Sequence, residues 1–216
     1  VHILGHMSGG LLAYLVPRAR PPGRARRGEG AATGVFPSPR LTWQRLSDLR
    51  ALVPPDVPLY LKGVQTAEDA LEAVRLGIRG LVVSNHGGRC CGNAWPSLHA
   101  LEDVASALRR AGVALAVPGA SPDPATVQLI FDSGVRSGLD AMKALCLGAC
   151  GVGLGRPYYW AAGCHGEQGI VALLEMLSEE LRHAMRQVGA SSLGALRPSM
   201  LCRLAPRPQP VEDGAP

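Results

Sequence analysis

Between residues 41 and 200, short apolar runs alternate with longer stretches of helical period. "VPLYLK" (57–62), "GLVVS" (80–84), "VQLIFD" (127–132) and "CGVGLG" (150–155) are brief runs bounded by glycine, proline or polar residues, and they predict four strands. The stretches between them predict helices: "TAEDALEAVRLG" (66–77), "SLHALEDVASALRRAG" (97–112) and "GLDAMKALCLG" (138–148). Thr66 can cap the first of these, acidic residues fill its first turn, and Gly77 closes it. An earlier helix, "LTWQRLSDLRALV" (41–53), has Thr42 as its cap and carries Leu46, Leu49 and Leu52. A long amphipathic helix, "GIVALLEMLSEELRHAMRQVG" (169–189), closes the ordered part.

The spacing defines the architecture. Strand starts at 57 and 80 lie 23 residues apart, and those at 127 and 150 are again 23 apart. A βα unit repeated at that interval implies parallel strands joined by crossover helices. The 47 residues between the middle strand starts span about two such periods. They include "GVALAVPGASPDPAT" (112–126), whose apolar run reads either as a further strand or as an inserted loop; its proline and glycine density favours the loop.

Composition narrows the class. The chain has 216 residues, of which 47% are apolar, enough for a core and too many for global disorder. Aromatics make up only 4%, so that core must be aliphatic. Much of the net charge of +5 comes from five arginines between Arg18 and Arg27. They stand among prolines and glycines without interleaved aromatics, as in a solvated linker rather than a nucleic-acid arm. Residues 1–40 therefore read as an irregular segment with a Pro/Gly/Arg linker, 41–200 as the folded unit, and 201–216 as a disordered proline-rich tail. The apolar opening "VHILGHMSGGLLAYLVP" is short, interrupted and without a basic flank, so neither a signal peptide nor a membrane span is expected. A chain starting with Val fits an alternative start codon, processing or a fragment. The six cysteines lack C-x-x-C pairing and suggest reduced thiols in a cytoplasmic protein, with Cys146 and Cys150 on one helical face as core. No metal site is expected.

The chemistry-bearing residues gather at the strand ends. Lys62 ends the first strand, Ser84, Asn85 and His86 end the second, Asp132 the third, and Gly155 and Arg156 the fourth. Parallel strands put all these ends on one face, where (β/α) barrels and doubly wound sheets bind ligands. "DSGVRSG" (132–138) puts Gly134 and Arg136 just before a helix, and "GLGRP" (153–157) puts Gly155 and Arg156 after the next strand. Amide groups at a helix start together with two guanidinium forks suit a phosphate. In "VVSNHGGRCC" (82–91), His86 precedes Gly-Gly and stands three residues from Arg89. An arginine can clamp a carboxylate while a neighbouring histidine exchanges a proton with the bound molecule. His2, His6, His99, His165 and His183 lack such a context and read as structural or surface residues.

Together, "LTWQRLSDLR", "LKGVQTAEDA", "VVSNHGGR", "FDSGVRSGLDAMKALCLGACGVGLGRP" and "EELRHAMRQVGASSLGAL" resemble the C-terminal half of the FMN-dependent α-hydroxy acid oxidase and dehydrogenase family, from about Phe36 to Leu196. "FPSPRLTW", "FDSGVRSG" and "GRPY" lean towards its lactate 2-monooxygenase and lactate oxidase branch, and 4-hydroxymandelate oxidase-like members are also similar. The resemblance implies an α/β fold, the C-terminal half of a (β/α)₈ TIM barrel with about four βα units, binding FMN at its C-terminal face. It implies that Lys62 lies by the flavin N1/C2 carbonyl and that Ser84 bonds the ring. Asp132, Gly134, Arg136, Gly155 and Arg156 would then hold the ribityl chain and phosphate. His86 would be the base towards a small L-2-hydroxy acid, lactate-like or mandelate-like, and Arg89 would grip its carboxylate.

The chain departs from that pattern where "GGRQLD" reads "GGRCCGN" and in the insert at 112–126; Ser133 stands where many members have glycine, although the "DSG" form also occurs in the lactate-acting branch. The family's N-terminal half, with its substrate-binding tyrosines, second arginine and acidic partner of the histidine, finds no match in residues 1–35. Roughly 160 matching residues fall short of the ~250 that a closed eight-stranded barrel needs. The expectation is a truncated flavoenzyme, active with a complementing N-terminal half or as a homo-oligomer; the alternative is a non-catalytic half-barrel remnant that keeps FMN or phosphate affinity. A different phosphate-binding barrel enzyme is a third reading, and the His-Gly-Gly-Arg run argues against it. No nucleic acid or membrane partner is expected.

Overall fold

A computed structural model describes residues 41–202. The predicted linker at 1–40 and the tail beyond Cys202 lie outside the described residues. Four strands, β1 (Tyr60–Val64), β2 (Gly80–Val83), β3 (Gln128–Phe131) and β4 (Gly151–Val152), form one parallel sheet in the order β1-β2-β3-β4. Helices α1 (Trp43–Leu52), α2 (Ala67–Arg75), α3 (Ser97–Arg110), α4 (Gly138–Leu147) and α5 (Arg156–Gln187) precede, join and follow them. Spatial order follows chain order without the reversal that defines a doubly wound sheet. The parallel βα repeat is what the spacing predicted, and the architecture is an arc of a (β/α) barrel, as the resemblance implied.

Two faces of the sheet do different work. Val64, Leu81, Val83, Leu129 and Phe131 point towards the helices and are buried with Ala70, Ala73, Leu101, Val104, Leu108 and Ala144. The other set of alternating positions carries the polar residues, and an irregularity between Lys62 and Val64 turns Val64 out of that set and into the core. The Tyr60 hydroxyl donates to Gln128 Oε1 across β2 at 2.7 Å, and Lys62 reaches Ser84 and Asp132 farther along the same face. Strand periodicity of two places Tyr60 with Lys62 and Gln128 with Asp132. A Cβ on Gly80 would collide with the Tyr60 ring, so glycine is what lets that ring lie across β2.

Helix ends follow local chemistry. Thr42, Thr66 and Ser137 cap α1, α2 and α4 by accepting from the amides of Arg45, Asp69 and Asp140. At Gly138 a Cβ would lie 2.6 Å from the Glu180 carbonyl carbon, so glycine permits α4 and α5 to cross backbone against backbone.

Some boundaries moved. The first strand begins at Tyr60 rather than at 57. Pro54, Pro55 and Pro58 cannot donate to a ladder, so pairing waits until they are past. The helical stretch α5 breaks at His165 and Gly166, whose dihedrals leave the helical region, so the long helix expected from 169 is its second limb and a shorter limb from Arg156 precedes it. The bend brings Gly169 so close to the Ala161 carbonyl that only glycine fits there. Segment 112–126 is a loop that touches the sheet once, through a parallel bridge between Leu115 and Val127. Cys146 and Cys150 do not share a helical face: α4 ends before Gly148, which has φ +123°, and Cys150 lies beyond it. Both thiols are buried, and burial raises the pKa of each. In α1 only Leu46 is buried, while Leu49 and Leu52 are 43% and 82% exposed.

Candidate functional site

The C-terminal ends of β1, β2 and β3 converge on one polar network. Lys62 Nζ donates to Ser84 Oγ at 2.8 Å and forms an ion pair with Asp132 Oδ2. The two side chains of the pair are 28% and 18% exposed, and Ser84 is only 3% exposed. Burial raises the pKa of the Asp132 carboxyl. Hydrogen bonds from Lys62, Ser84 and Ser133, with the Lys62 charge, outweigh that effect and hold it below the ordinary carboxylate value.

The turn after β2 is pinned residue by residue. The Asn85 amide donates to Ser97 Oγ at 2.8 Å, the His86 amide to Ser84 Oγ at 3.1 Å, and the Gly87 amide to Ser133 Oγ at 3.0 Å. Arg156, at the start of α5, donates through Nη2 to the Gly87 carbonyl at 3.3 Å. Three loops therefore hold one short 3₁₀ turn, His86–Gly88, in which His86 has φ +57°. Cys90 Sγ lies 3.3 Å from His86 Nδ1. Arg89 follows on the exposed side of the turn, with its amide donating to the His86 carbonyl at 3.3 Å.

The arginine pair is arranged differently from a simple fork. The Arg136 guanidinium lies over the Trp160 ring, 4.9 Å from its centroid. At the start of α4, the Gly138 amide already donates to Glu180 Oε2 at 2.7 Å and the Asp140 amide to Ser137 Oγ at 3.1 Å. Those two amides are taken, so they are not the helix-start donors that the spacing suggested for a phosphate. Guanidinium groups and the glycine-lined approach remain: side chains added at Gly63, Gly134 or Gly155 would meet open space.

Thus Lys62, Ser84, Asp132, His86 and Arg156 are brought into one hydrogen-bonded constellation, Arg136 stands on Trp160, and Arg89 stays on the rim. Gly134 and Gly155 occupy the loops after β3 and before α5. Three contributors had not been given a place in the site: Ser133, Trp160 and Cys90. Trp160 meets Arg136 from another element, which no local spacing signals, and Cys90 meets His86 across the glycine turn. Among the described residues there is no cluster of three or more potential metal ligands, and no helix long and apolar enough to cross a membrane.

A parallel βα arc with a cation, hydroxyls and a carboxylate at the strand ends, and arginines on the following loops, defines a phosphate-bearing-cofactor barrel site. The family comparison specifies it: the FMN-dependent dehydrogenase model matches residues 13–203, and this chain belongs to that family. It is 35% identical over 175 residues to the L-lactate dehydrogenase (cytochrome) of Saccharomyces cerevisiae, covering 81% of this chain and 28% of that protein. It is 40% identical over 156 residues to the 4-hydroxymandelate oxidase of Amycolatopsis orientalis, covering 72% of this chain and 39% of the relative.

Among solved structures, a flavocytochrome b2 variant with sulfite bound superposes with TM-score 0.67 at 35% identity, over 75% of this chain and 39% of the other. A mandelate oxidase variant with a monooxide FMN adduct gives TM-score 0.62 at 39% identity, over 73% of this chain and 45% of the other. This chain therefore spans less than half the length of the proteins it matches. FMN is the cofactor of the family.

The donor set fits that group. Across the sheet from β1 to β4 it runs from an ammonium, through hydroxyl and carboxylate, to guanidinium groups, an order suited to an electron-poor ring, a polyol and a phosphate.

Proposed function

We propose that this chain carries the proton-transferring and cofactor-holding half of an FMN-dependent site that oxidises a small L-2-hydroxy acid to the 2-oxo acid. Lys62 and Ser84 face the flavin ring, with the ammonium balancing negative charge near its N1/C2 carbonyl. Asp132 and Gly134 meet the ribityl chain, and Arg136, Gly155 and Arg156 the phosphate. FMN supplies the two-electron acceptor when bound. His86 takes a proton from the substrate and Arg89 holds the substrate carboxylate through its guanidinium fork. The observation that supports this reading is the pinning of the His86 turn, at Gly87, to the loop after β3 by Ser133 and to α5 by Arg156, at the strand ends that carry the Lys62–Asp132 pair.

The substrate is lactate-like or mandelate-like, with the lactate 2-monooxygenase and lactate oxidase branch as the nearer comparison by motif. The described sheet has four strands, with β1 and β4 at its edges. Such edges seek strand partners. In this reading those edges pair with further strands, and the complete site assembles with them.

The test is anaerobic. The chain is purified with FMN, its flavin absorbance recorded, and L-lactate or mandelate added. Bleaching that His86→Ala abolishes is the expected result. Bound flavin that never bleaches supports instead a non-catalytic half-barrel that retains FMN, a reading favoured by the four-stranded sheet. Absence of bound flavin refutes the cofactor assignment.

A further inference from the structure

Ser133 is the least expected member of the site. Among the described residues, two that are not glycine have positive φ: His86 at +57° and Ser133 at +79°. Side chains in that region carry strain that glycine does not, and strain of this kind persists only where surrounding contacts hold it. Here the two strained positions are tied together. The Gly87 amide, next to His86, donates to Ser133 Oγ at 3.0 Å, and Ser133 Oγ in turn donates to Asp132 Oδ1 at 2.7 Å. Asp132 is itself paired with Lys62.

One hydroxyl thus bridges the turn that presents His86 and the ion pair at the ends of β1 and β3. A glycine at this position would satisfy the backbone better and provide neither bond. The serine is retained against conformational preference, and what it adds is the bridge. The neighbouring contacts do not substitute for it. The Ser84 hydroxyl holds the His86 amide and Arg156 holds the Gly87 carbonyl, which leaves the Gly87 amide to Ser133.

We infer that Ser133 is a positioning residue: its hydroxyl fixes the His86 turn relative to the Lys62–Asp132 pair, setting where the histidine stands when it takes its proton. The inference rests on His86 being the base. It predicts that the Ser133 contribution appears chiefly in kcat, because Ser133 holds the Gly87 amide next to His86, whereas the Arg89 side chain stands two residues on at the exposed end of the turn. Misplacing a catalytic group by about 1 Å costs on the order of a hundredfold, so losing one of several tethers should cost roughly tenfold.

Two variants separate the hydroxyl from the backbone strain. Ser133→Gly removes both; Ser133→Ala removes only the hydroxyl. Amide exchange at Gly87, read by NMR on the full chain, should quicken by about tenfold in each variant. Ser133→Gly should melt no lower than wild type, while its kcat falls roughly tenfold and KM stays within about twofold. Unchanged Gly87 exchange in both variants overturns the tether. Unchanged kcat in a Ser133→Gly protein that exchanges faster overturns the positioning role. A wild-type chain that binds FMN but never turns over sinks the oxidase reading instead. The exchange measurement is then unaffected and still decides whether the tether exists.

Discussion

Lys62→Met tests the polar network at its half-buried ion pair. The substitution keeps the length of the side chain but strips Asp132 of its ammonium partner and Ser84 of a donor at 2.8 Å. Removing one member of a fully buried ion pair costs about 3–5 kcal/mol, whereas exposed pairs are worth about 0.2–1 kcal/mol. With the two side chains 28% and 18% exposed, this pair lies between those limits, and about 2 kcal/mol at neutral pH is expected. For a folded unit of this size that lowers Tm by about 4–8 °C.

Most of the cost is the stranded carboxylate. Adding Asp132→Asn to Lys62→Met should therefore recover about half or more of the loss, and the double-mutant cycle should give a coupling of about 1 kcal/mol or more. The pH dependence has a definite sign. Asp132 is held below the ordinary carboxylate value, so the stability it contributes is present above about pH 4 and is lost as pH falls through its depressed folded value. Urea unfolding followed by circular dichroism at pH 7 and at successively lower pH gives the cycle. A Lys62→Met loss below about 0.5 kcal/mol, or a coupling that does not shrink on acidification, refutes the reasoning.

Other substitutions probe the scaffold and the arginine site. Gly138→Ala forces a Cβ to within 2.6 Å of the Glu180 carbonyl carbon, and thermal melts should show a loss of about 1–3 kcal/mol. Glu180→Ala removes the acceptor of the Gly138 amide, and the same melts should show about 1 kcal/mol. Trp160→Leu deletes the ring under Arg136. An exposed cation–π contact is worth about 0.5–1 kcal/mol, so flavin-fluorescence titration should show FMN affinity weakened about two- to fivefold; unchanged affinity would remove Arg136 from the phosphate site.

Much of the arc was readable because period-two runs, threonine caps and equal strand spacing all point to the same βα repeat. Strand direction alone puts Lys62, Ser84, His86 and Asp132 at one end of the sheet. The start of β1 was misplaced because VPLY has the right hydrophobicity but its proline removes a ladder donor. The first limb of α5 is hard to read because Gly163, Gly166 and Gly169 stand close together; Gly166 does break the helix, while Gly169 lets the backbone pass close to Ala161. The Ser133 bridge could not be read from Ser133 alone, since its partner amide at Gly87 is 46 residues away. Its oddity was visible, and its cause was not. The Glu180 carboxylate at the start of α4 was hidden in the same way, 42 residues from the amide it accepts.

The loop at 112–126 makes one further point about how this sheet tolerates change. The starts of β1 and β2 at Tyr60 and Gly80 and the start of β3 at Gln128 show that the second crossover closes more than twice the length of the first. Each doubling of a flexible loop costs only about 0.6 kcal/mol in closure entropy, so the extra length burdens the β2–β3 register by well under a typical core substitution. The loop follows α3, which runs back from the turn bearing His86, and so it enters β3 at the end opposite Asp132. Gly119 there packs near Leu193, and Gly194 near Val117, none of them a residue of the polar network. Length variation at this point falls on the floor of the arc, where it is thermodynamically cheap and chemically silent.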